Sequence, residues 1–162
     1  MSQPKSLIRA ADIEALSGFV FRHPLNPNSE VHLRSLSVLA GLQRFGLHIG
    51  RIPPGKESFI YHWHHREEEF VYILSGRGVA EIGDEKFEVG PGDAMLFTAP
   101  SEGHNLGNPF DVDLVYLMGG EDRPIDVVSY PELEKRFLIM QGDKGTEFYE
   151  LGEPMKPLGK PD

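Results

Sequence analysis

Apolar residues in this chain come in short runs, with glycine or proline standing between most of them. The longest uninterrupted runs are five residues, Phe70–Leu74 and Leu114–Met118. A helix shows apolar positions at a period of about 3.6 over ten or more residues, whereas runs of about four to eight bounded by turn residues suit strands. The 18 glycines and 13 prolines therefore point to a β-rich fold. Five-residue runs are also far too short to span a bilayer as helices or to form a secretory leader core.

The punctuation predicts particular elements. Ile13–Phe21 and Ser35–Ala40 could each hold a short helix, stopped by Gly18 and Gly41. Phe45–Ile52 reads as a strand ended by Pro53-Pro54-Gly55, Phe59–His64 as the next strand and Phe70–Leu74 as the one after it. Gly76-Arg77-Gly78 turns into Val79–Ile82, and Gly83-Asp84 turns back into Lys86–Val89. Ala94–Phe97 follows the turn Gly90-Pro91-Gly92-Asp93. Val112–Met118 reads as the last barrel strand, with Gly119-Gly120 at the core boundary. Ser129-Tyr130-Pro131-Glu132 has capping-box spacing and opens a short helical turn. Phe137–Met140 and Phe148–Leu151 are apolar enough to dock on the barrel. Short, evenly spaced strands without long helices predict an all-β antiparallel sandwich or barrel.

Charge and composition narrow the function. A chain of 162 residues is long enough for one domain with a real core, and its net charge of −9 argues against nucleic acid or an anionic membrane as partner. Without cysteine it has no disulfide, thiolate ligand or cysteine nucleophile. The default location is the cytoplasm.

Within Tyr61-His62-Trp63-His64-His65-Arg66-Glu67-Glu68-Glu69-Phe70, strand alternation points His62 and His64 to one face, with Trp63 and His65 opposite. Three carboxylates follow, Glu67, Glu68 and Glu69, and a single His104 stands downstream. Three imidazoles and one carboxylate converging inside a barrel would hold a divalent metal and leave positions open for water or substrate. His48 reads as a half-buried histidine, His23 and His32 as surface or packing residues, and Asn108 as a turn former. No Ser-His-Asp arrangement is recognisable, and no helix follows Gly76-Arg77-Gly78 to bind a phosphate.

These residues resemble the two motifs of the cupin superfamily. Gly55, His62, His64, Glu69 and Gly76 resemble the first; Gly92, Asp93, Pro100, Gly103, His104 and Asn108 resemble the second. Gly55 stands one residue further from the first histidine than is usual, and Pro100 one residue closer to His104. The resemblance covers roughly residues 45 to 119. It implies a cupin jelly roll, or double-stranded β-helix, over 45–119, with extensions at 1–44 and 120–162 packing on it. It implies His62, His64, Glu69 and His104 as ligands of one divalent ion, with Glu69 preferred over Glu67 and Glu68 because it keeps the family distance to Gly76. Iron, manganese, nickel and zinc all suit such ligands. Phe45–Pro54 and Asp126–Pro131 look like a group of small bacterial single-domain cupins, some labelled sugar-phosphate isomerases.

The resemblance thus implies a small-molecule metalloenzyme of isomerase type, acting on a sugar or sugar phosphate. The alternatives are an Fe(II)-dependent dioxygenase and a ligand-binding module without turnover. An isomerase for phosphosugars needs a cation in the pocket, for which Arg51, Lys56 and Arg123 are candidates; a dioxygenase needs an apolar wall, for which Met95, Leu96 and Phe97 are. The catalytic residues themselves are not readable. Edge strands that need cover, and the habit of the family, predict a homodimer.

Overall fold

The computed structural model describes residues 6–142 and 145–152. Among these, nearly all regular structure is antiparallel β, which matches the predicted class. Two short helices precede the barrel, α1 (Ala10–Glu14) and α2 (Leu36–Ala40). None of the described helices is long and apolar enough to cross a membrane.

One sheet has six strands in the order β1 (Phe19–Phe21), β2 (Val31–Ser35), β3 (Phe45–Ile52), β10 (Leu114–Glu121), β5 (Glu69–Ser75) and β8 (Ala94–Phe97). A second has three, β7 (Glu85–Val89), β6 (Gly78–Ile82) and β9 (His104–Gly107). The main core lies between them, built from Ile52, Ile73, Ala80, Phe97, Leu106, Leu114 and neighbours, with Ile52, Ile73, Ala80 and Leu114 fully buried. The third sheet has the order β13 (Gly145–Leu151), β12 (Lys135–Gly142), β11 (Ile125–Tyr130) and β4 (Trp63–His64). It covers a smaller core of Ile60, Val128 and Tyr130, against which Phe137 and Ile139 pack.

Several predicted elements end where expected for the expected reason. Ser35 caps α2, its Oγ accepting from Val38 N–H, and Gly41 ends it at φ 74°, a left-handed conformation that glycine takes at little cost. Strands β3 and β8 have the predicted bounds.

Others differ. The helix predicted over Ile13–Phe21 stops at Glu14, and Phe19–Phe21 pairs with β2 instead. Gly18 serves close approach, since a Cβ there would lie 2.9 Å from the Leu33 carbonyl oxygen. The strand predicted over Phe59–His64 shrinks to Trp63–His64, because the chain changes sheets there: His62 bridges His104, whereas His64 pairs with Val128 of β11. Gly119 and Gly120 lie inside β10 rather than after it, opposite Phe70 and Glu69. Ser129 caps nothing; it lies in β11, its hydroxyl bonds His65, and the single 3₁₀ turn Pro131–Leu133 starts from Tyr130. Of the two apolar C-terminal runs, Phe137–Met140 docks, but among the described residues β13 pairs only with β12 and every residue of it is exposed. Strand β9 carries one strongly apolar residue, Leu106, and so escaped the apolar-run criterion.

Candidate metal centre and ligand cavity

Three strands and one crossover segment bring the predicted ligands together. Glu69 opens β5, His104 opens β9, and His62 is locked to His104 by a reciprocal pair of backbone hydrogen bonds of 3.1 and 2.8 Å. His62, Glu69 and His104 each offer a ligand atom, all within 4.8 Å of one another. His104 Nε2 lies 3.4 Å from one oxygen of Glu69, and His64 Nε2 lies 3.5 Å from the other. Alternation does place His62 and His64 on one face, their ring centroids 5.2 Å apart.

Each ring is held through its other nitrogen. His62 Nδ1 donates to the Ile60 carbonyl at 2.7 Å, His64 Nδ1 to Asp126 Oδ2 at 2.6 Å, and His104 Nδ1 makes a longer contact of 3.4 Å to the Glu102 carbonyl. In a neutral imidazole a protonated Nδ1 leaves the lone pair on Nε2. In the neutral form of each ring the lone pair is then on Nε2, and the Nε2 atoms of His64 and His104 are the ones beside the two Glu69 oxygens. Phe97 stacks on His104 at 3.6 Å and 7°, which fixes that ring in rotation.

Electrostatics follow from the crowding. Burial, with the neighbouring His104, takes His62 down to about 3, so the ring is neutral at neutral pH. Burial opposes charge on Glu69 as well, but the His104 contact and the surrounding rings outweigh it and hold the carboxyl at about 2. For His64 burial is outweighed by the Asp126 hydrogen bond and the nearby carboxylates, and its pKa lies above the ordinary value. Neutral His62 and anionic Glu69 suit a divalent cation, whereas His64, whose neighbours favour its protonated form, would release that proton on binding one.

His64 also belongs to a second group with Glu67 and Asp126. Glu67 Oε2 is 3.7 Å from His64 Nδ1, and its other oxygen accepts from Arg123 N–H at 2.7 Å. Asp126 is 1% exposed and accepts from Arg66 N–H as well as from His64. Because Asp126 already holds the His64 Nδ1 proton, the free nitrogen of His64 faces Glu69, not this second group. Glu68 is exposed and belongs to neither group. His65 stacks on Trp63 at 4.0 Å and bonds Ser129, partly buried on the face opposite His62 and His64 that alternation gives it.

Above the ligand cluster opens a cavity of about 570 Å³. His62, His64 and Glu69 form its floor, and Phe21, Phe59, Met118, Val128, Phe137 and Ile139 contribute its apolar wall. Lys135 is the one lysine or arginine among the described lining residues, and it is paired with Glu150 at 2.8 Å. Behind the cluster lies a pocket of about 50 Å³ lined by Met95, Phe97 and Tyr116. Met95 and Phe97 therefore belong to the core and this small pocket rather than to the wall of the larger cavity, and Leu96 is 78% exposed.

The predicted cations do not reach this cavity. Arg51 pairs with Asp113 and Arg123 with Glu121, both at 2.8 Å, and Lys56 lines a separate groove outside the barrel. Asn108 is 1% exposed and ties Ile52 to Val112, as a turn former should. His23 proves to be more than packing: it lines the cavity and bonds Tyr130. Asp126 and Tyr130 were missed as site residues. A signal existed, since Asp126, Val128 and Tyr130 alternate along one face of β11, and an acid on an apolar face calls for a partner.

The fold and the paired histidine motifs define a class. The chain belongs to the cupin superfamily: residues 48–120 match the model of the cupin domain family Cupin_2. A solved structure from Acidithiobacillus ferrooxidans, of a protein proposed to be a sugar phosphate isomerase, is 36% identical with TM-score 0.84, covering 90% of each chain. A cupin from Silicibacter pomeroyi, described as a sugar phosphate isomerase, is 26% identical with TM-score 0.76, covering 90% of this chain and 96% of that one. An uncharacterized protein of Methanocaldococcus jannaschii is 38% identical over 66 residues, which are 41% of this chain and 51% of its own length. The chain thus spans about half the length of that curated relative.

Proposed function

We propose that His62, His64, Glu69 and His104 hold one divalent metal ion, and that the cavity above them takes a small oxygen-bearing molecule with an apolar body. The observation that carries this reading is the orientation of the rings. Each Nδ1 is engaged with an acceptor at the periphery, which leaves the Nε2 lone pairs and the Glu69 carboxylate as the donor set. When bound, such an ion would polarise an oxygen substituent of the ligand, or supply redox chemistry if it is iron. Phe21, Phe59, Phe137 and Ile139 would exclude water and hold the ligand's carbon body.

The second reading is an isomerase acting on a sugar or sugar phosphate, favoured by the likeness to the two proteins bearing that description. It fits the cavity less well. A phosphate held there would have to displace Glu150 from Lys135, the one lysine or arginine among the described lining residues.

The test is metal content followed by a screen. Wild-type protein should carry about one equivalent of iron, manganese, nickel or zinc, and His62→Ala or His64→Ala should lose most of it; unchanged content in both variants refutes the site. Oxygen uptake or binding with apolar oxygen-bearing compounds supports the first reading. Interconversion of sugar phosphates, with no response to apolar compounds, replaces it with the second.

Homodimerisation belongs to the same proposal. Edge strand β13 leaves Phe148, Tyr149 and Leu151 exposed, and edge strand β1 leaves Phe19 and Val20 exposed. Light scattering at micromolar concentration should give twice the chain mass, and a monomer mass overturns it.

A further inference from the structure

Two residues far apart in the sequence meet in the wall of the ligand cavity. His23 precedes the barrel in sequence, and Tyr130 ends β11 well after it. His23 Nε2 lies 3.3 Å from Tyr130 Oη, and the rings pack edge to face with centroids 5.3 Å apart. The Tyr130 ring is in turn 6.2 Å from that of His62.

The direction of the hydrogen bond can be worked out. The backbone N–H of Leu25 donates to His23 Nδ1 at 3.2 Å. A backbone amide can only donate, so Nδ1 is an acceptor and carries no proton. Burial holds the pKa of His23 below the ordinary value, which keeps the ring neutral, and a neutral ring then has its proton on Nε2. That proton is donated to Tyr130 Oη. Burial pushes the phenol up to about 12, so Tyr130 keeps its own proton. Among the described residues Tyr130 Oη has no other hydrogen-bond partner.

We infer that the Tyr130 hydroxyl donates a hydrogen bond to the molecule held in the cavity, and that His23, by occupying the acceptor side of the oxygen, turns its proton toward that molecule. This rests on the reading of the cavity as the ligand site. It narrows the ligand class to molecules with two oxygen functions on an apolar or aromatic frame. One oxygen faces the His–Glu cluster, and a second, an acceptor, faces Tyr130. His23 is a positioning residue; Tyr130 touches the ligand.

Two measurements test this. Long-range proton–nitrogen NMR of the metal-free protein, labelled at histidine, should show His23 protonated on Nε2; protonation on Nδ1 reverses the bond and overturns the inference. The second uses 4-nitrocatechol, an aromatic ring with two adjacent oxygens, titrated into zinc-loaded protein. Tyr130→Phe keeps the ring and should weaken binding roughly two- to tenfold, the usual worth of one neutral hydrogen bond, at unchanged metal content. His23→Leu should weaken it similarly. His23→Gln, which can still donate from its amide to Oη, should restore affinity to within about twofold, less than one such bond. Equal affinity of Tyr130→Phe and wild type overturns the inference, as does failure of His23→Gln to differ from His23→Leu. Metal content of the same samples tests the underlying reading separately. If wild type takes up no zinc, that reading falls, and the Tyr130→Phe ratio is read on metal-free protein with the same criterion.

Discussion

Asp126→Asn should cost metal affinity more than it costs the fold. Asp126 is 1% exposed, and its two oxygens serve two donors: Oδ2 accepts from His64 Nδ1 at 2.6 Å, and Oδ1 from Arg66 N–H at 2.9 Å. An asparagine is nearly isosteric but brings one acceptor oxygen and one donor NH₂. Arg66 N–H is a fixed donor, so the oxygen stays with it and the NH₂ faces His64 Nδ1. The imidazole can resolve that clash by moving its proton to Nε2, the nitrogen that faces Glu69, where it removes the lone pair a metal needs. Alternatively it leaves a buried donor unmet, at a cost of about 1–3 kcal/mol. That free energy corresponds to roughly 5- to 150-fold, and losing the carboxylate behind a ligand histidine typically costs about 10–100-fold in affinity. Competition of zinc or nickel between the protein and a chromophoric chelator gives the affinity, and thermal unfolding of the metal-free protein reports the fold. Affinity within twofold of wild type, with the metal-free melting temperature unchanged, refutes the argument. Glu67→Gln guards against the other assignment: were the ion held by His64, Glu67 and Asp126, this variant would lose metal and His62→Ala would not.

Further outcomes can be checked alongside. His65→Ala should keep its metal, since the ring stacks on Trp63 and bonds Ser129 on the far face; loss of metal there reverses the face assignment. Gly120→Ala should destabilise by about 1–3 kcal/mol and weaken metal binding, because its Cβ would stand 2.7 Å from Glu68 O and 3.1 Å from Glu69 Cγ. Gly90→Ala, with nothing within 4 Å of its Cβ, is the control, and equal melting temperatures for the two reject the reasoning. Stability of the metal-free protein should fall in acid: Glu69, held at about 2 against 4.5, loses its contribution as pH drops from 4.5 toward 2, and His62, at about 3 against 6.5, does so from 6.5 toward 3. Glu67 works the other way. Burial raises it to about 7, so the folded chain holds a proton there that the unfolded chain releases, and stability is lost as pH rises from 4.5 to 7. The gain in melting temperature of Glu67→Gln over wild type should therefore grow across that window, and a gain independent of pH contradicts the burial argument.

The sequence by itself determined the class of fold and, through the resemblance to the two cupin motifs, pointed to His62, His64, Glu69 and His104 as neighbours. Short apolar runs cut by glycine and proline are a local property, and so are the period-2 facing of His62 and His64 and the Ser35–Gly41 brackets of α2; each is written within a few consecutive residues. What local pattern could not decide is where the chain changes partners. Phe59–His64 reads as one strand because its composition suits one, yet His62 pairs with β9 and His64 with β11. Gly119 and Gly120 read as a break because glycine weakens an isolated strand, but inside β10 they leave room for Phe70, Glu69 and the Gly46 carbonyl. The partners of the cluster lie furthest from local reach. Asp126 stands 62 residues from His64, and His23 stands 107 from Tyr130. Hydrogen-bond partners so distant in sequence are chosen by which sheets close on each other. Closure is a balance of burial summed over the whole core, so the acceptor behind His64 and the donor beside Tyr130 became visible only when the tertiary structure brought His23, Asp126 and Tyr130 to the mouth of the barrel.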